Sequence, residues 1–179
     1  IPAKEYPDPP AAPADGLAFT AGDLQAALRR VTFSASTHGA HPVLTGVLAE
    51  FEQETLTLVT ADGYRLSRQT VTLPNTIADP FNVLLPASAL KKLSSILKRV
   101  DEAEKVTFVS DAQRARFLVG STLVTTQLID GNFPDYQRIV NGMATSTTIE
   151  VDRKMFLAAC KRARIFNSDM VRLEANGSF

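Results

Sequence analysis

The chain has 179 residues, with 19 Lys and Arg against 19 Asp and Glu, so its formal net charge is zero. Hydrophobic residues make up 45% and charged residues 21%, a composition that is typical of a globular protein and excludes an extended disordered chain. As a sum, the neutral charge also argues against a nucleic-acid-binding protein, because such proteins usually carry a strong excess of basic residues.

The sequence excludes several kinds of site and location. No apolar run approaches the roughly 18 residues that a membrane-spanning helix needs, and the first residues lack a signal-peptide pattern. The single cysteine, Cys160, allows neither an internal disulfide nor a cysteine-rich zinc site. We therefore expect a cytoplasmic protein without a membrane partner. Because the chain starts at Ile1 and stops at Phe179 after a strand-like run, we also expect it to be part of a longer protein.

The first half of the chain predicts strands around one helix. Residues 1–15 hold five of the ten prolines, which favours an extended linker. A short strand at 17–19 then precedes a helix at 22–35, whose apolar residues recur at helical spacing. Asp62-Gly63 predicts a two-residue hairpin turn. The residues around this turn, rich in Val, Thr and Leu, predict strands at 43–52, 55–61, 64–73 and 82–86.

The second half repeats this order of elements. A helix is predicted at 87–100, with strands at 105–110, 114–120 and 122–130 and an irregular segment at 130–142. Eight strands and two helices, arranged as two βαβββ half-repeats, indicate an α+β domain with its helices packed on antiparallel sheets.

The pattern then begins again. Strands are predicted at 147–151 and 170–175, on either side of a helix at 152–166 whose apolar face includes Cys160. At an offset of 132 residues, 26–30 align with 158–162, and we interpret this as a second copy of the module. The expected organisation is a linker at 1–15, a complete domain at 16–140, and a linker with the truncated start of a further domain at 141–179.

Charge is distributed unevenly along the chain. The three predicted helical stretches at 24–36, 87–100 and 153–166 contain eleven basic and no acidic residues, which leaves a net charge of −11 on the rest of the chain. Solvated helices usually mix both signs. The acid-free helices therefore predict a surface for phosphates, without the base-reading side chains of a sequence-specific binder. The alternative is a solvated helix face that is basic by chance.

No catalytic or metal-binding motif is present in the sequence. His38 and His41 lie in a Gly-containing loop without a neighbouring carboxylate or thiol, so they predict a solvated loop. Asp130 and Asp135 have no third ligand nearby in sequence, and Cys160 is expected to be an inert core residue. We expect no cofactor and no enzyme activity.

Three motifs, in order, resemble one family. They read VLTGVL at 43–48, TADGYRL at 60–66 and LIDGNFPDY at 128–136. Together they resemble the middle domain of the bacterial sliding clamp, the beta subunit of DNA polymerase III. Residues 1–7 resemble the junction from the family's first domain, and residues 147–175 resemble the start of its third. Ala61 and Tyr64 depart from the Thr and His that are frequent in the family.

The resemblance implies a function without catalysis. Clamp subunits have three repeated domains and form a homodimeric ring around duplex DNA, with helices facing the hole and non-specific contacts to the DNA backbone. They tether the polymerase III catalytic subunit and repair polymerases, and a clamp loader places them on DNA. By resemblance, the protein would be a cytoplasmic, nucleoid-associated processivity factor. The chain by itself is not expected to form a ring.

Two sets of site residues follow from the resemblance. The DNA-facing residues would be the helix cations Arg29, Arg30, Lys91, Lys92, Lys98, Arg99, Lys161 and Arg162. The family also captures short partner peptides, carrying a Gln and a Leu/Phe pair, in a hydrophobic pocket. The wall of that pocket would be Leu44, Gly63, Tyr64, Arg65, Leu66, Pro134 and Ile139.

A second class of function remains open. The chain could be a scaffold module that never meets DNA and whose basic helices bind an acidic protein partner. From the sequence alone, the apolar pocket residues would be assigned to the core. Peptide capture at Leu66 and Pro134 would distinguish the clamp hypothesis from the scaffold hypothesis.

Overall fold

The computed structural model describes residues 15–142, 148–166 and 171–174. The chain divides into two compact units, Ile1–Pro134 and Asp135–Phe179. Most of the predicted linker lies outside the described residues, and the predicted domain limits at 16–140 and 141–179 stay predictions. In the described part of the chain, no helix is long and apolar enough to cross a membrane.

A four-stranded antiparallel sheet forms one layer of the first unit. Its strands are β1 (Leu17–Thr20), β4 (Lys105–Ser110), β5 (Arg114–Val119) and β6 (Thr122–Gln127), in the order β1-β4-β5-β6. The period-two alternation of strands directs every second side chain to one face. Cross-strand partners therefore form an apolar row on the inner face, made of Leu17, Phe108, Phe117 and Val124.

A long two-stranded hairpin forms the second sheet. It consists of β2 (Gly46–Ala61) and β3 (Leu66–Pro86), which pair in antiparallel register from Gly46 with Pro86 to Ala61 with Leu66. Each strand joins two of the predicted strands, so the described residues of this unit form six strands where the sequence predicted eight. The prediction was wrong at Gln53, because a bulge with a positive φ of 49° bends β2 there without ending it.

Two helices cover these sheets and pack against each other. Helix α1 (Ala21–Val31) continues as a 3-10 turn at Thr32–Ser34, and helix α2 spans Ala87–Leu97. The predicted apolar stripes are confirmed, because the residues at helical spacing are buried in one shared core. The buried residues of the two helices are Ala21, Leu24, Ala27, Leu28, Val31, Ala87, Leu90, Leu93, Ser94 and Leu97.

An aromatic cluster extends from the buried core to Phe81, which is 36% exposed. The Phe51 ring stacks on Phe81 and Phe108, with ring centroids 4.5 and 5.2 Å apart, and Phe108 contacts Phe117 at 4.9 Å. These four rings join the two sheets, because Phe51 and Phe81 belong to the hairpin and the other two to the four-stranded sheet. Aromatic pairs of this kind contribute about 0.5–1.5 kcal/mol beyond the area that they bury.

The second unit contains two further helices. Helix α3 (Tyr136–Asn141) lies where the sequence predicted an irregular segment, and helix α4 (Arg153–Ala163) lies where a helix was predicted. The strands predicted at 147–151 and 170–175 are not observed in their described parts, 148–151 and 171–174. An isolated extended segment needs a partner to form a ladder, and no described strand pairs with either of them.

The apolar face of α4 was also predicted to be buried. None of its described side chains is buried: Phe156 is 40% exposed, and Cys160 is only half-buried. The prediction of Cys160 as a core residue was therefore wrong. The apolar spacing was present in the sequence, but burial needs a packing surface, which the described residues do not supply for this helix.

Candidate nucleic-acid interface and peptide-binding residues

The last turn of α1 carries two exposed arginines, Arg29 and Arg30. Cations are favoured there, because the carbonyl groups that end a helix carry partial negative charge. Arg30 also donates from Nη1 to Oε1 of Gln69 on β3, at 3.3 Å. Both arginines are exposed, so their charge reaches solvent.

The cations of α2 are also exposed. Lys91 and Lys92 lie within the helix, Lys98 is its C-cap residue, and Arg99 follows the cap. Because the buried faces of α1 and α2 share one core, the exposed cations of both helices lie on the open side of the same helix layer. In the second unit, Lys161 and Arg162 are exposed in the last turn of α4.

The expectation of acid-free helices needs one correction. Helix α1 begins at Ala21, one residue before the predicted start, and its first turn contains Asp23, an acidic residue that the charge count over 24–36 left out. The Thr20 hydroxyl donates to the Asp23 carboxylate at 2.7 Å and accepts from the Asp23 backbone N–H at 3.1 Å, which caps the helix. Because the backbone N–H of Gly22 donates to the carbonyl of Glu102, a second acidic residue lies close to this end. The start of α1 is therefore acidic and its end is basic.

The turn that joins β2 to β3 contains the central motif of the predicted pocket. It spans four residues, Asp62 to Arg65, where the sequence predicted a two-residue turn, and Gly63 adopts a positive φ of 91°. The Asp62 carboxylate accepts from the backbone N–H groups of Tyr64 and Arg65 at 2.9 and 2.8 Å. The Arg65 guanidinium also donates to it, at 2.8 and 3.0 Å.

These hydrogen bonds set the electrostatics of the turn. The Arg65 side chain, followed by the backbone N–H groups of Tyr64 and Arg65, lowers the pKa of the Asp62 carboxyl to about 2. Tyr64 is 98% exposed at the tip of the hairpin. The turn therefore presents an aromatic ring and a held arginine beside one another in solvent.

The apolar pocket residues of the first unit lie around one short segment, residues 34–36. The Ser34 hydroxyl lies 2.7 Å from that of Ser67, the neighbour of Leu66, and the Ser36 N–H donates to the carbonyl of Leu44 at 2.8 Å. Leu44 and the neighbour of Leu66 are thus both hydrogen-bonded to this segment. Both are half-buried, which leaves part of each side chain open to a ligand.

The remaining residues that were predicted to line the pocket fall in two places. A Cβ atom added to Gly131 would meet the Val43 side chain at 2.8 Å, so the stretch that leads to Pro134 passes close to the segment containing Leu44. Pro134 is exposed. Ile139 belongs to α3 in the second unit and is 53% exposed.

Sequence reasoning missed two features near these sites. Helix α3 has a signal in Asp135, whose carboxylate accepts from the Arg138 N–H at 3.1 Å and caps the helix. The turn between β4 and β5 repeats the bonding of the Asp62 turn, with Asp111 accepting from the N–H groups of Gln113 and Arg114 at 2.9 and 2.8 Å. An Asp three residues before an Arg, between two strand runs, is the signal for both turns.

Two helices side by side over two antiparallel sheets define the fold as that of a DNA clamp. The family model described as "DNA polymerase III beta subunit, central domain" matches residues 19–135. The chain therefore belongs to the DNA polymerase III beta subunit, or sliding-clamp, family.

Individual relatives agree with this assignment. The chain is 31% identical to the beta sliding clamp of Bacillus subtilis over 85% of its own length and 40% of the relative's. It is 28% identical to the clamp of Synechococcus elongatus over 92% of its length and 44% of the relative's. The crystal structure of the Bacillus subtilis clamp superposes with a TM-score of 0.84 at 29% identity, covering 94% of this chain and 44% of that one. The chain thus spans less than half the length of these relatives.

Proposed function

We propose that this chain is the part of a DNA sliding clamp that presents a basic helix layer to duplex DNA and a peptide-binding surface to polymerases. The observation that supports the proposal most directly is the arrangement of α1 and α2. Their apolar faces form one core, and their exposed cations lie on the open side of one layer. Such a surface attracts phosphates without reading bases.

The proposed contacts are loose. In the described residues of the layer, no cluster of Asn or Gln side chains lies among the cations to recognise bases directly. Binding would therefore be non-specific and sensitive to salt. In a closed ring, topology would retain the subunit on DNA while the weak contacts let it slide. The protein would be an accessory subunit without catalysis of its own, would act in the cytoplasm at the nucleoid, and would be homodimeric at full length.

The partner surface would include Leu44, Leu66 and the Asp62–Arg65 turn. Half-buried apolar side chains next to exposed polar groups suit the capture of a short peptide, because the apolar groups supply the anchor and the polar groups the orientation. By family analogy, the peptides would come from the polymerase III catalytic subunit, the clamp loader and repair polymerases.

The DNA contact can be tested by charge reversal. We expect the 179-residue chain to bind duplex DNA weakly, and the Lys91→Glu/Lys92→Glu variant to bind more weakly with a shallower salt dependence. If both lysines contact phosphates, the slope of log K against log salt should fall by about two. Fluorescence anisotropy with a labelled duplex at several salt concentrations measures both quantities.

A matched control reverses two cations that lie outside the helix layer. Lys105 and Arg114 are exposed cations on the four-stranded sheet, so Lys105→Glu/Arg114→Glu changes the net charge equally without altering the helix layer. Equal losses in the two variants would contradict a specific role for the layer. Binding to an acidic protein in place of DNA, abolished by the same helix substitutions, would favour the scaffold hypothesis.

A further inference from the structure

The two oxygens of the Asp62 carboxylate have different partners. Oδ1 accepts from the backbone N–H groups of Tyr64 and Arg65, at 2.9 and 2.8 Å. Oδ2 accepts from the Arg65 side chain, at 3.0 Å from Nε and 2.8 Å from Nη2. One oxygen therefore stabilises the turn, while the other holds the guanidinium of Arg65.

The held guanidinium remains largely in solvent. The Asp62 side chain is only 14% exposed, whereas that of Arg65 is 62% exposed. A guanidinium is planar, so an ion pair through Nε and Nη2 leaves Nη1 on the side away from Asp62. An exposed ion pair contributes little to folding stability, because solvent screens it and ordering the side chains costs entropy. Its main consequence is a fixed orientation of a donor that would otherwise move freely.

The Asp111 turn shows that such a turn forms without a contact from the side chain of its own arginine. Asp111 makes the same two backbone hydrogen bonds through Oδ1, but its Oδ2 accepts from Arg116 on β5, at 3.0 Å. Arg114, which occupies the place of Arg65 in this turn, donates only its backbone N–H to Asp111. The contact between Oδ2 and the arginine of the turn is thus an addition specific to the hairpin at Leu66.

We propose that Asp62 is a positioning residue of the peptide-binding surface: it holds Arg65 so that Nη1 donates to a carbonyl or carboxylate oxygen of a bound partner peptide. This inference rests on the proposed function. Fixing the side chain before binding removes part of the entropy cost of capture, which corresponds to about a two- to tenfold gain in affinity.

A double-mutant cycle tests the proposal on the 179-residue chain. The probe is a synthetic peptide carrying a Gln and a Leu-Phe pair, titrated by calorimetry. Asp62→Asn keeps the Oδ1 acceptor of the turn and removes the Oδ2 acceptor, and we expect it to weaken binding about two- to tenfold. Arg65→Gln should weaken binding at least as much. The double variant should bind no more weakly than Arg65→Gln alone, since Asp62 acts through Arg65.

The outcomes separate the two levels of the proposal. The positioning role would be overturned if the losses of binding free energy added in the double variant, or if Asp62→Asn bound the peptide with unchanged affinity. Either result would leave the peptide site intact. Failure of the unsubstituted chain to bind the peptide would overturn the peptide site and the positioning role together. Asp111→Asn makes the matching change in the other turn and should leave the affinity unchanged.

A spectroscopic measurement checks the geometry without the peptide. In the free chain, the Nε–H of Arg65 should give a resolved NMR signal that exchanges slowly with water, because Oδ2 of Asp62 accepts its proton. Asp62→Asn should broaden or abolish that signal, and Asp111→Asn should not. A signal unaffected by Asp62→Asn would overturn the holding role of the carboxylate.

Discussion

At the scale of single residues, the two aspartate turns show that a hairpin turn can form with few residues in common. In both, the backbone N–H of the aspartate donates to the carbonyl of the arginine three residues later, at 3.2 Å for Asp62 and 2.9 Å for Asp111. The two residues between the aspartate and the arginine are different in the two turns, and of these four residues only Gly63 has a positive φ. The common element is the carboxylate, which satisfies two N–H groups that a tight reversal leaves without strand partners.

The same carboxylates predict a sensitivity to acid. The pKa of Asp62 is lowered to about 2 and that of Asp111 is also lowered, in the latter chiefly by the N–H groups of Gln113 and Arg114. A depressed pKa in the folded state means that the unfolded chain binds the proton first. The stabilisation is therefore complete above about pH 4 and is lost as the pH falls towards 2.

We expect Asp62→Asn and Asp111→Asn each to reduce the loss of stability between pH 4 and pH 2, because each variant lacks one carboxylate that must be protonated. Urea denaturation at several pH values measures this loss. The unsubstituted chain, measured alongside, should lose more stability over this pH range than either variant. An unchanged pH dependence in both turn variants would contradict the assignment.

At the scale of elements, the 132-residue repeat is reproduced in the helices. Helix α1 (Ala21–Val31) and helix α4 (Arg153–Ala163) each have 11 residues, and both their first and last residues are 132 apart. Their N-caps also correspond: the Thr20 and Asp152 side chains each accept from the backbone N–H three residues later. The capping role is retained although the residue differs, since hydroxyl and carboxylate oxygens both serve it.

The bulge in β2 gives a prediction for the strand as an element. Gln53 has a φ of 49°, a conformation that costs a residue with a Cβ atom about 1–2 kcal/mol and glycine very little. Replacing Gln53 by glycine would relieve this strain, but part of the gain in stability is offset by the greater freedom of glycine in the unfolded chain. We therefore expect Gln53→Gly to stabilise the chain by about 0.5–1 kcal/mol.

The midpoint of urea denaturation measures this gain. Gln53→Ala keeps the Cβ atom, and with it the strain, so it should give no comparable stabilisation. Destabilisation by Gln53→Gly would show that the side chain contributes more at this bulge than the backbone strain costs.

At the scale of the whole molecule, the total charge of zero is the sum of basic helices and an acidic remainder of the chain. Cations gather on the exposed side of the helices, and the net charge of −11 outside the predicted helical stretches balances them. Asp23 at the start of α1 moderates this contrast without removing it, since it lies in the turn farthest from Arg29 and Arg30. The helix cations thus form basic patches in a chain whose total charge is zero.

The oligomeric state of the chain is proposed from its likeness to the family. The chain spans about 40% of the Bacillus subtilis clamp, and by family analogy we propose that the interfaces that close a ring lie in the first and third domains. We therefore expect sedimentation equilibrium to give the monomer mass of 19.4 kDa at micromolar concentration. A stable closed dimer would contradict the proposed location of the ring interfaces.

Much of the fold could be predicted from the sequence, because local patterns report which side of an element is buried. The helical spacing of Leu24 with Leu28, and of Leu90 with Leu93, located both helices of the first unit and their buried faces. The motif around Asp62-Gly63 located the hairpin turn. The same reasoning placed the cations on the helices, since a helix with one apolar face must direct its charged residues to the other.

Only the tertiary structure decided the remaining features, because they depend on partners that are distant along the chain. Gln53 continues a strand through a bulge because β3 pairs with β2 on both sides of it. The apolar face of α4, by contrast, contains no buried side chain among the described residues. Leu44 and Leu66 lie beside one segment through contacts made by Ser34 and Ser36, which no local pattern encodes. Periodicity determines which face of an element can be buried, but burial and strand pairing require a second element in place.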